Sequence, residues 1–390
     1  MYNSQKLHLI GIICLHLLYS ACNFKEASTQ VDIADYQIEQ IEVSSNTKRE
    51  MPLSEFIQSI SYVYLETKPE SLIGEVSKVE ISNGLYFIMD NNYTQSLTVF
   101  DSLGKFLYRL QQGRGKGEFA DIDDFSIDES GGVLYILDTT GKRIHRYQMN
   151  DGQYLSSVPI IDYYQKMQIL SDGNILLLRD GNSYESSPPP YQYNLICRID
   201  STGKWDKGWR LEPINPYLNV GDIVIASGSN KGQLITRQFS DTIYRYHDNE
   251  VSAAYLLDFK DNPLPPEFYF TNQQSFLTDK FFQNYTFFSG KALEIKDFLF
   301  VEYIAAAAYN YFIYDEVSKT GNTITWVNDI DGIPIFAFNL VHDNQLVRVL
   351  SSMEIDMLQQ SNIDSSEKLK EIASHVNFDS NPVLMKLTLK

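Results

Sequence analysis

Beyond about residue 60 the chain repeats one theme: an apolar run, a tight polar turn, and a second apolar run. The first copy occupies residues 84–90, 97–104 and 105–110, and the second 133–138, 144–152 and 153–158. A third passes through 174–179 and 195–203 to Lys204 and Trp205. A fourth covers 234–239, 242–250 and 251–259, and a fifth 298–304, 311–321 and 323–326. The runs are rich in Val, Ile, Tyr and Phe and are bounded by Asp, Asn, Ser and Gly. Such side chains suit a pleated, half-buried surface, and such turns supply the positive φ that tight hairpins need. The pattern predicts hairpins along most of the chain.

The turns end at Gly104, Gly152, Gly203, Glu250 and Gly321, with successive spacings of about 48, 51, 47 and 71 residues. These lie in or just above the range of propeller blades. A weaker sixth unit runs through 333–338 and 345–350 and finds an outer strand only at 383–389. One four-stranded blade cannot bury both of its faces alone. A ring of blades buries each against its neighbours and leaves only short edges. The reading is therefore an all-β fold, a six-bladed β-propeller, with five or seven blades still compatible with the spacing. A β-sandwich explains the strands but not the period. Ring closure needs a strand from each end of the chain: 383–389, and either 38–43 or 62–66.

Two segments break the pattern. Residues 260–292 open with Pro263, Pro265 and Pro266 and continue with Phe, Tyr and Leu at mixed spacing. This reads as a partly helical insertion packed across the ring. In residues 352–376, Ser365 and Ser366 precede Glu367 and Lys368 as a helix start, so one or two short helices are expected near the C-terminus. Pro188, Pro189 and Pro190 mark an exposed loop.

The N-terminus has its own pattern. Lys6 precedes a mainly apolar stretch from Leu7 to Leu18, about 12 residues and too short to span a bilayer. Ser20 and Ala21 then precede Cys22. The order resembles a bacterial lipoprotein signal, in which the cysteine becomes the acylated first residue of the mature chain. His8 and His16 interrupt the apolar stretch, and Tyr19 stands where an aliphatic residue is favoured. The expectation is a signal peptide at 1–21, lipidation of Cys22, a polar tether at 22–50 with a candidate strand at 38–43, and the propeller domain at 51–390. Acyl chains on Cys22 would make the membrane a partner and place the protein in the cell envelope as an outer-membrane lipoprotein, on either face.

Composition agrees. Of 390 residues, 43% are hydrophobic and 13% aromatic, enough for a large core with a β bias. The formal charge of −18, about −19 once Lys6 leaves, excludes a nucleic-acid partner, which requires a basic footprint. The three cysteines, Cys14, Cys22 and Cys197, show no metal-ligand or redox spacing. Cys197 reads as a small buried hydrophobe.

These residues resemble the six-bladed β-propeller lipoproteins common in Bacteroidetes, over about residues 51–390. The resemblance rests on Leu65-Glu66-Thr67, on the stretch from Leu72 to Lys78, on Val99 to Phe106, on Gly113 to Phe119, and on Asn381-Pro382-Val383-Leu384. The family pattern has Pro where Lys116 stands. The resemblance implies the fold and an envelope location, and it supplies no catalytic residues.

Candidate chemistry is sparse. Gly113, Gly115 and Gly117 lack the spacing of a phosphate loop and read as a demanding turn, with Glu118 serving local backbone donors. Asp121, Asp123 and Asp124 form the densest acidic group but match no calcium loop, and read as turn carboxylates. His145, His247, His342 and His375 fall in no catalytic motif. Phe268, Tyr269, Phe270, Phe276, Phe281, Phe282, Tyr285, Phe287 and Phe288 could stack on sugars or pack the insertion, and packing is the stronger reading. No catalytic residue, metal ligand or cofactor is assigned. The leading expectation is a non-catalytic binding or protein-interaction module with a glycan or an envelope protein as partner, the glycan resting on family association. The alternatives are a metal-dependent propeller hydrolase or lactonase, and a structural or sensory component.

Overall fold

The computed structural model describes residues 30–31, 38–46, 48–179, 194–211, 214–215, 223–226, 231–272, 278–360 and 366–390. The signal peptide, Cys22, the Pro188–Pro190 loop and Phe276 lie outside the described residues. The sheets are six, arranged as the blades of a propeller.

Blade one is Lys78–Ser82, Leu85–Asp90, Ser96–Phe100 and Phe106–Gln111, and blade two is Asp124–Asp128, Val133–Asp138, Arg143–Gln148 and Tyr154–Pro159. Blade three is Lys166–Ile169, Ile175–Leu178, Ile196–Ile199 and Trp205–Trp209. Blade four is Ile223–Ala226, Gln233–Arg237, Thr242–His247 and Glu250–Phe259. Blade five is Thr286–Ile295, Phe298–Ala305, Ala308–Asp315 and Thr320–Val327. Blade six is Leu340–His342, Gln345–Leu350, Val383–Leu389 and, from the other end of the chain, Ile57–Tyr64. The antiparallel pairing of Val383–Leu389 with Ile57–Tyr64 closes the ring. Of the two expected N-terminal partners, the segment around 62–66 thus lies in or beside the closing strand, and 38–43 does not.

The second and third strands of each blade explain why the repeats were visible. Leu85–Asp90, Ser96–Phe100 and Ile175–Leu178 are buried along nearly their whole length. Both faces of these strands meet a neighbouring blade, so they read as unbroken apolar runs. The gaps between the first four blades hold separate cores, while blades four to six share one. Phe87 and Val99 meet Phe125 and Leu134 between blades one and two. Leu137 and Ile144 meet Met167 and Cys197 between blades two and three. Leu176 and Trp209 meet Ile235 and Val251 between blades three and four. Burial pushes the Cys197 thiol up to about 11, so it stays protonated as an apolar packing group. Gly203 shows why the turn glycines are needed. Its φ is +91°, and a Cβ there would lie 2.5 Å from the Pro159 carbonyl of the preceding blade.

Among the described residues of the range expected as a tether, most are sheet. Gln30–Val31 adds a fifth, parallel strand to the outer edge of blade three, Glu39–Val43 does the same for blade four, and Lys48–Pro52 for blade five. The chain therefore wraps as a belt around three blade edges before it closes the ring. Exposed edges are the weak point of any open sheet, and the belt covers three of them. Its turn is tied down by Asp261, which accepts from Ser44 Oγ at 2.8 Å and from the Ser45 amide at 2.6 Å.

The insertion is shorter than expected, because Thr286–Ile295 is already the first strand of blade five. Among the described residues, what precedes it contains two single-turn helices, Glu267–Phe270 and Asp279–Phe282. Phe268 and Phe287 pack with Phe239 from blade four, and Phe288 is fully buried in the core beneath blade five. Among the described insertion rings Phe270 alone is largely exposed, at 72%. The insertion aromatics serve packing. Near the C-terminus two helices appear, Ser352–Gln360 and Glu367–His375, the second capped by Ser366 Oγ accepting from the Leu369 amide.

Asp241, half-buried beneath the insertion, yields a pH prediction. Burial, then the negative charge of Asp258, pushes its carboxyl up to about 6. The folded protein therefore holds a proton that the unfolded chain releases near 4. Stability falls as pH rises from about 4 to about 6 and does not recover above that. Asp241→Asn is expected to stabilise by about 1–3 kcal/mol at pH 7.5 and by little at pH 4. Thermal melts of both proteins at the two pH values check this, and an equal effect at both would remove the carboxyl as its cause.

Candidate functional site

The first strand of each blade is the innermost; from blade two round to blade one the successive first strands adjoin, and Lys78 reaches from blade one to Asp124 and Phe125 of blade two. Together they enclose a central cavity of about 410 Å³ to which all six blades contribute. Its charged side chains come from separate stretches of the chain. Lys78 and Glu80 belong to blade one, Asp124 to blade two, Lys166 to blade three, and Lys291 and Glu302 to blade five. Three lysines thus enter from alternate blades, about 120° apart on a six-fold ring. With Glu80, Asp124 and Glu302 the lining balances three lysines against three carboxylates, in a chain with a formal charge of −18.

The three cations are not equivalent. Lys78 Nζ donates to Asp124 Oδ1 at 2.8 Å and to the Phe125 carbonyl at 2.6 Å, and it lies 2.9 Å from Glu80 Oε1. An ammonium has three protons, and these partners use them all. Burial would depress this lysine, but Asp124 and Glu80 beside it hold it above the usual lysine range. Burial pushes Glu80 up against the pull of Lys78. Asp124 reaches the other way too, its Oδ2 accepting from the Met167 amide of blade three at 2.8 Å. Ser126 repeats the link by accepting from the Ile169 amide at 3.0 Å. The Lys78 group is a staple across blades one, two and three.

Lys291 is placed by a bulge. Phe288 faces Tyr303 and Lys291 faces Glu302, so Ser289 and Gly290 have no partner on the adjacent strand. Such bulges bend a strand and re-aim its side chains. Ser289 Oγ donates to the Glu302 carbonyl at 2.8 Å and accepts from the Lys291 amide at 3.3 Å. Thr236 Oγ1 of blade four donates to the Gly290 carbonyl at 2.5 Å. The Lys291 ammonium stands 4.0 Å from Glu302, and burial, opposed by that carboxylate, holds it below the usual lysine range. Gly290 has φ +91°, and a Cβ would lie 2.8 Å from the Gln238 amide nitrogen. Gly290→Ala is expected to cost about 1–3 kcal/mol and to misplace Lys291. Denaturant unfolding measures the first effect. A cost below about 0.5 kcal/mol would mean that the bulge tolerates a side chain.

Lys166 opens blade three's innermost strand and, among the described residues, has no carboxylate within ion-pair distance. The wall from blades four to six is mainly aliphatic: Val224, Ala226, Leu293, Leu340 and Val341. Gln168, Gln238 and Asn339 add amides, and no aromatic side chain is among the described lining residues.

The residues singled out from sequence are mostly elsewhere. Asp124 is in the cavity, but Asp121 and Asp123 serve the Ile122 and Thr139 amides. Among the described residues no three His, Cys, Asp or Glu side chains converge as a metal site. His145 is buried against Asp138 at 3.2 Å between blades, and His247, His342 and His375 lie away from the cavity lining. Glu118 accepts from the Gly115 amide at 2.5 Å, closing the glycine loop on itself. Lys78, Lys166 and Lys291 carried no motif. The one local signal was Ser289-Gly290 inside a strand-like run, where a glycine marks a bulge.

Residues 38–388 match the family described as Domain of unknown function (DUF4934). No curated protein matches the chain. Among solved structures, the chain is similar to a Bacteroides fragilis protein predicted to be exported, at 20% identity and a TM-score of 0.70, with 90% of this chain and 99% of that one covered. It is also similar to a member of the DUF4221 family from Bacteroides vulgatus, at 10% identity and a TM-score of 0.53, with 86% and 97% covered. Likeness at these identities concerns the fold, whose path it follows over nearly the full length of both proteins. Among the described residues no helix is long and apolar enough to cross a membrane.

Proposed function

The chain belongs to the DUF4934 family, and from that premise we propose that it is a non-catalytic binding module of the cell envelope that takes a small solute in the central cavity. One observation carries the reading: six separate strands converge on a cavity of about 410 Å³ whose polar groups are fixed by bulges and inter-blade hydrogen bonds. A preformed concave site with a few convergent polar groups on an aliphatic wall is the usual form of a small-molecule site. The module is exported, as is predicted for the similar Bacteroides fragilis protein, and is held at the outer membrane by lipid on Cys22. Cys22 and Gln30 are eight residues apart. A chain of that length reaches about 28 Å at most, so the outer edge of blade three would stand close to the bilayer. The natural role of such a module is solute capture for nutrient acquisition.

Metabolic labelling with an alkyne fatty acid tests the anchor, with label expected on the wild type and lost in Cys22→Ser. Thermal melts of residues 22–390 carrying Cys22→Ser test the binding module across glycans, organic acids, amino acids and divalent ions, with and without EDTA. A ligand at 100 times its Kd should stabilise by about 2.7 kcal/mol. Stabilisation by a small solute supports the module. A flat response to every solute would shift the search to an envelope protein as the partner, and loss of stability on chelation would point to a metal.

A further inference from the structure

Resting on that reading, we infer that the solute is a small organic anion with an aliphatic body, its carboxylate held between Lys166 and Lys291 and its body against blades four to six. The charge argument begins with Lys78, which is fully engaged by Asp124, Glu80 and the Phe125 carbonyl and has no proton left for a ligand. Glu80 and Asp124 are accordingly committed to it. Lys166 has no carboxylate at contact among the described residues, and Lys291 only the 4.0 Å approach of Glu302. The cavity therefore presents two incompletely matched cations in a protein that is otherwise strongly acidic. The lining as a whole balances three lysines with three carboxylates, so the counter-charge offered to an anion is local, at Lys166 and Lys291.

The placement of Lys291 is itself constructed. Ser289 and Gly290 are inserted into the strand, and Thr236 and Gln238 of the neighbouring blade fit closely around Gly290. A glycine at φ +91° in a central strand stabilises nothing by packing. Its effect is to turn the following lysine into the cavity.

The aliphatic wall sets the rest of the ligand. Val224, Leu340 and Val341 are only half-buried and border the cavity, with Leu293 and Ala226 beside them. These side chains offer dispersion and desolvation to an alkyl chain and no hydrogen bonds. The absence of aromatic rings among the described lining residues removes the stacking surface that a sugar or nucleobase would use. The Gln168 and Gln238 amides can complete the carboxylate's shell.

The test is calorimetric titration of residues 22–390 (Cys22→Ser) with linear and branched carboxylates of four to ten carbons. The matching primary amides, inorganic phosphate and a panel of neutral sugars serve as comparisons. At least one carboxylate is expected to bind, at least tenfold more tightly than its amide and than phosphate. Lys166→Met and Lys291→Met should each weaken it about tenfold or more, the range for a hydrogen bond to a charged group. Lys166→Arg should retain most of the affinity. Unchanged melting of the ligand-free variants would show that the loss is local. An amide or sugar bound as tightly as any carboxylate and indifferent to both lysines would overturn the anion and leave the binding module standing. Phosphate bound as tightly as the best carboxylate would overturn the aliphatic body. No binding by any member of the panel would overturn both the anion and the small-solute reading.

Discussion

A chain beginning at residue 53 is expected to be less stable than the full chain by about 5 kcal/mol or more and to aggregate on concentration. It keeps the closing strand Ile57–Tyr64 but loses Gln30–Val31, Glu39–Val43 and Lys48–Pro52. Ile41 and Val43 are 2% and 1% exposed and belong to the core of blades four to six. Each contributes about 1.5–3 kcal/mol by burial, and their removal also exposes Tyr255, Leu257 and Ile324. The side-chain ties go too: Asp261 with Ser44 and Ser45, Lys319 with Glu39 at 2.7 Å, and Gln40 with Asp258 at 2.9 Å. The conformational entropy recovered by freeing these strands opposes the losses, so the net falls well short of their sum. Three blades would then present bare strand edges, which template association between chains. A chain beginning at residue 38 is the control, since it loses only the two-residue strand on blade three. Thermal melts and light scattering of the three chains decide the matter. If the chain from residue 53 melts within about 2 °C of the full one, the belt rests on the sheets without supporting them.

The belt also shows where sequence reading reaches its limit. Residues 84–90, 97–104 and their counterparts were legible because strands buried on both faces must be apolar throughout. The turns were legible because Gly104, Gly152 and Gly203 hold positive φ. The innermost strands were not. Lys166–Ile169 and Leu340–His342 are four and three residues long, and one side of each meets the cavity rather than a neighbouring blade. Their composition is therefore mixed, and a short mixed run looks like a loop. Lys48–Pro52 has no apolar alternation because backbone pairing with Thr323–Val327 holds it. Glu39–Val43 did alternate, and the strand was visible even though its partner was not. The cavity fared worst. Its charged groups come from residues as far apart as Lys78 and Glu302, brought together only by ring closure, so no spacing could announce them. Thr286–Ile295 was absorbed into the insertion because the aromatic run of the helices continues into it without a break.

Arg245→Met is expected to cost about 3–5 kcal/mol, and Arg245→Met with Glu294→Leu to recover most of that loss. Arg245 lies on blade four and Glu294 on the innermost strand of blade five. The guanidinium grips the carboxylate with both ends, at 2.9 Å from Nη1 to Oε2 and 2.7 Å from Nη2 to Oε1. The Glu294 side chain is 0% exposed and Arg245 12%. Tyr255 OH joins both Glu294, at 3.2 Å, and Glu316, at 2.7 Å, so the pair sits in a shared network. A buried ion pair adds little net stability relative to an apolar pair of the same shape, because desolvation offsets the attraction. Removing one partner is different, since the other charge then stays buried without the guanidinium that grips it. Glu294 would respond by taking up a proton. Its pKa would rise in the folded variant, so the cost should be smaller near pH 5 and grow toward pH 8, the direction for any acid raised on folding. Denaturant unfolding of the single and double variants at both pH values measures each part. A single-variant cost below about 1 kcal/mol, or one independent of pH, would show that the blade-four to blade-five contact rests on apolar packing alone.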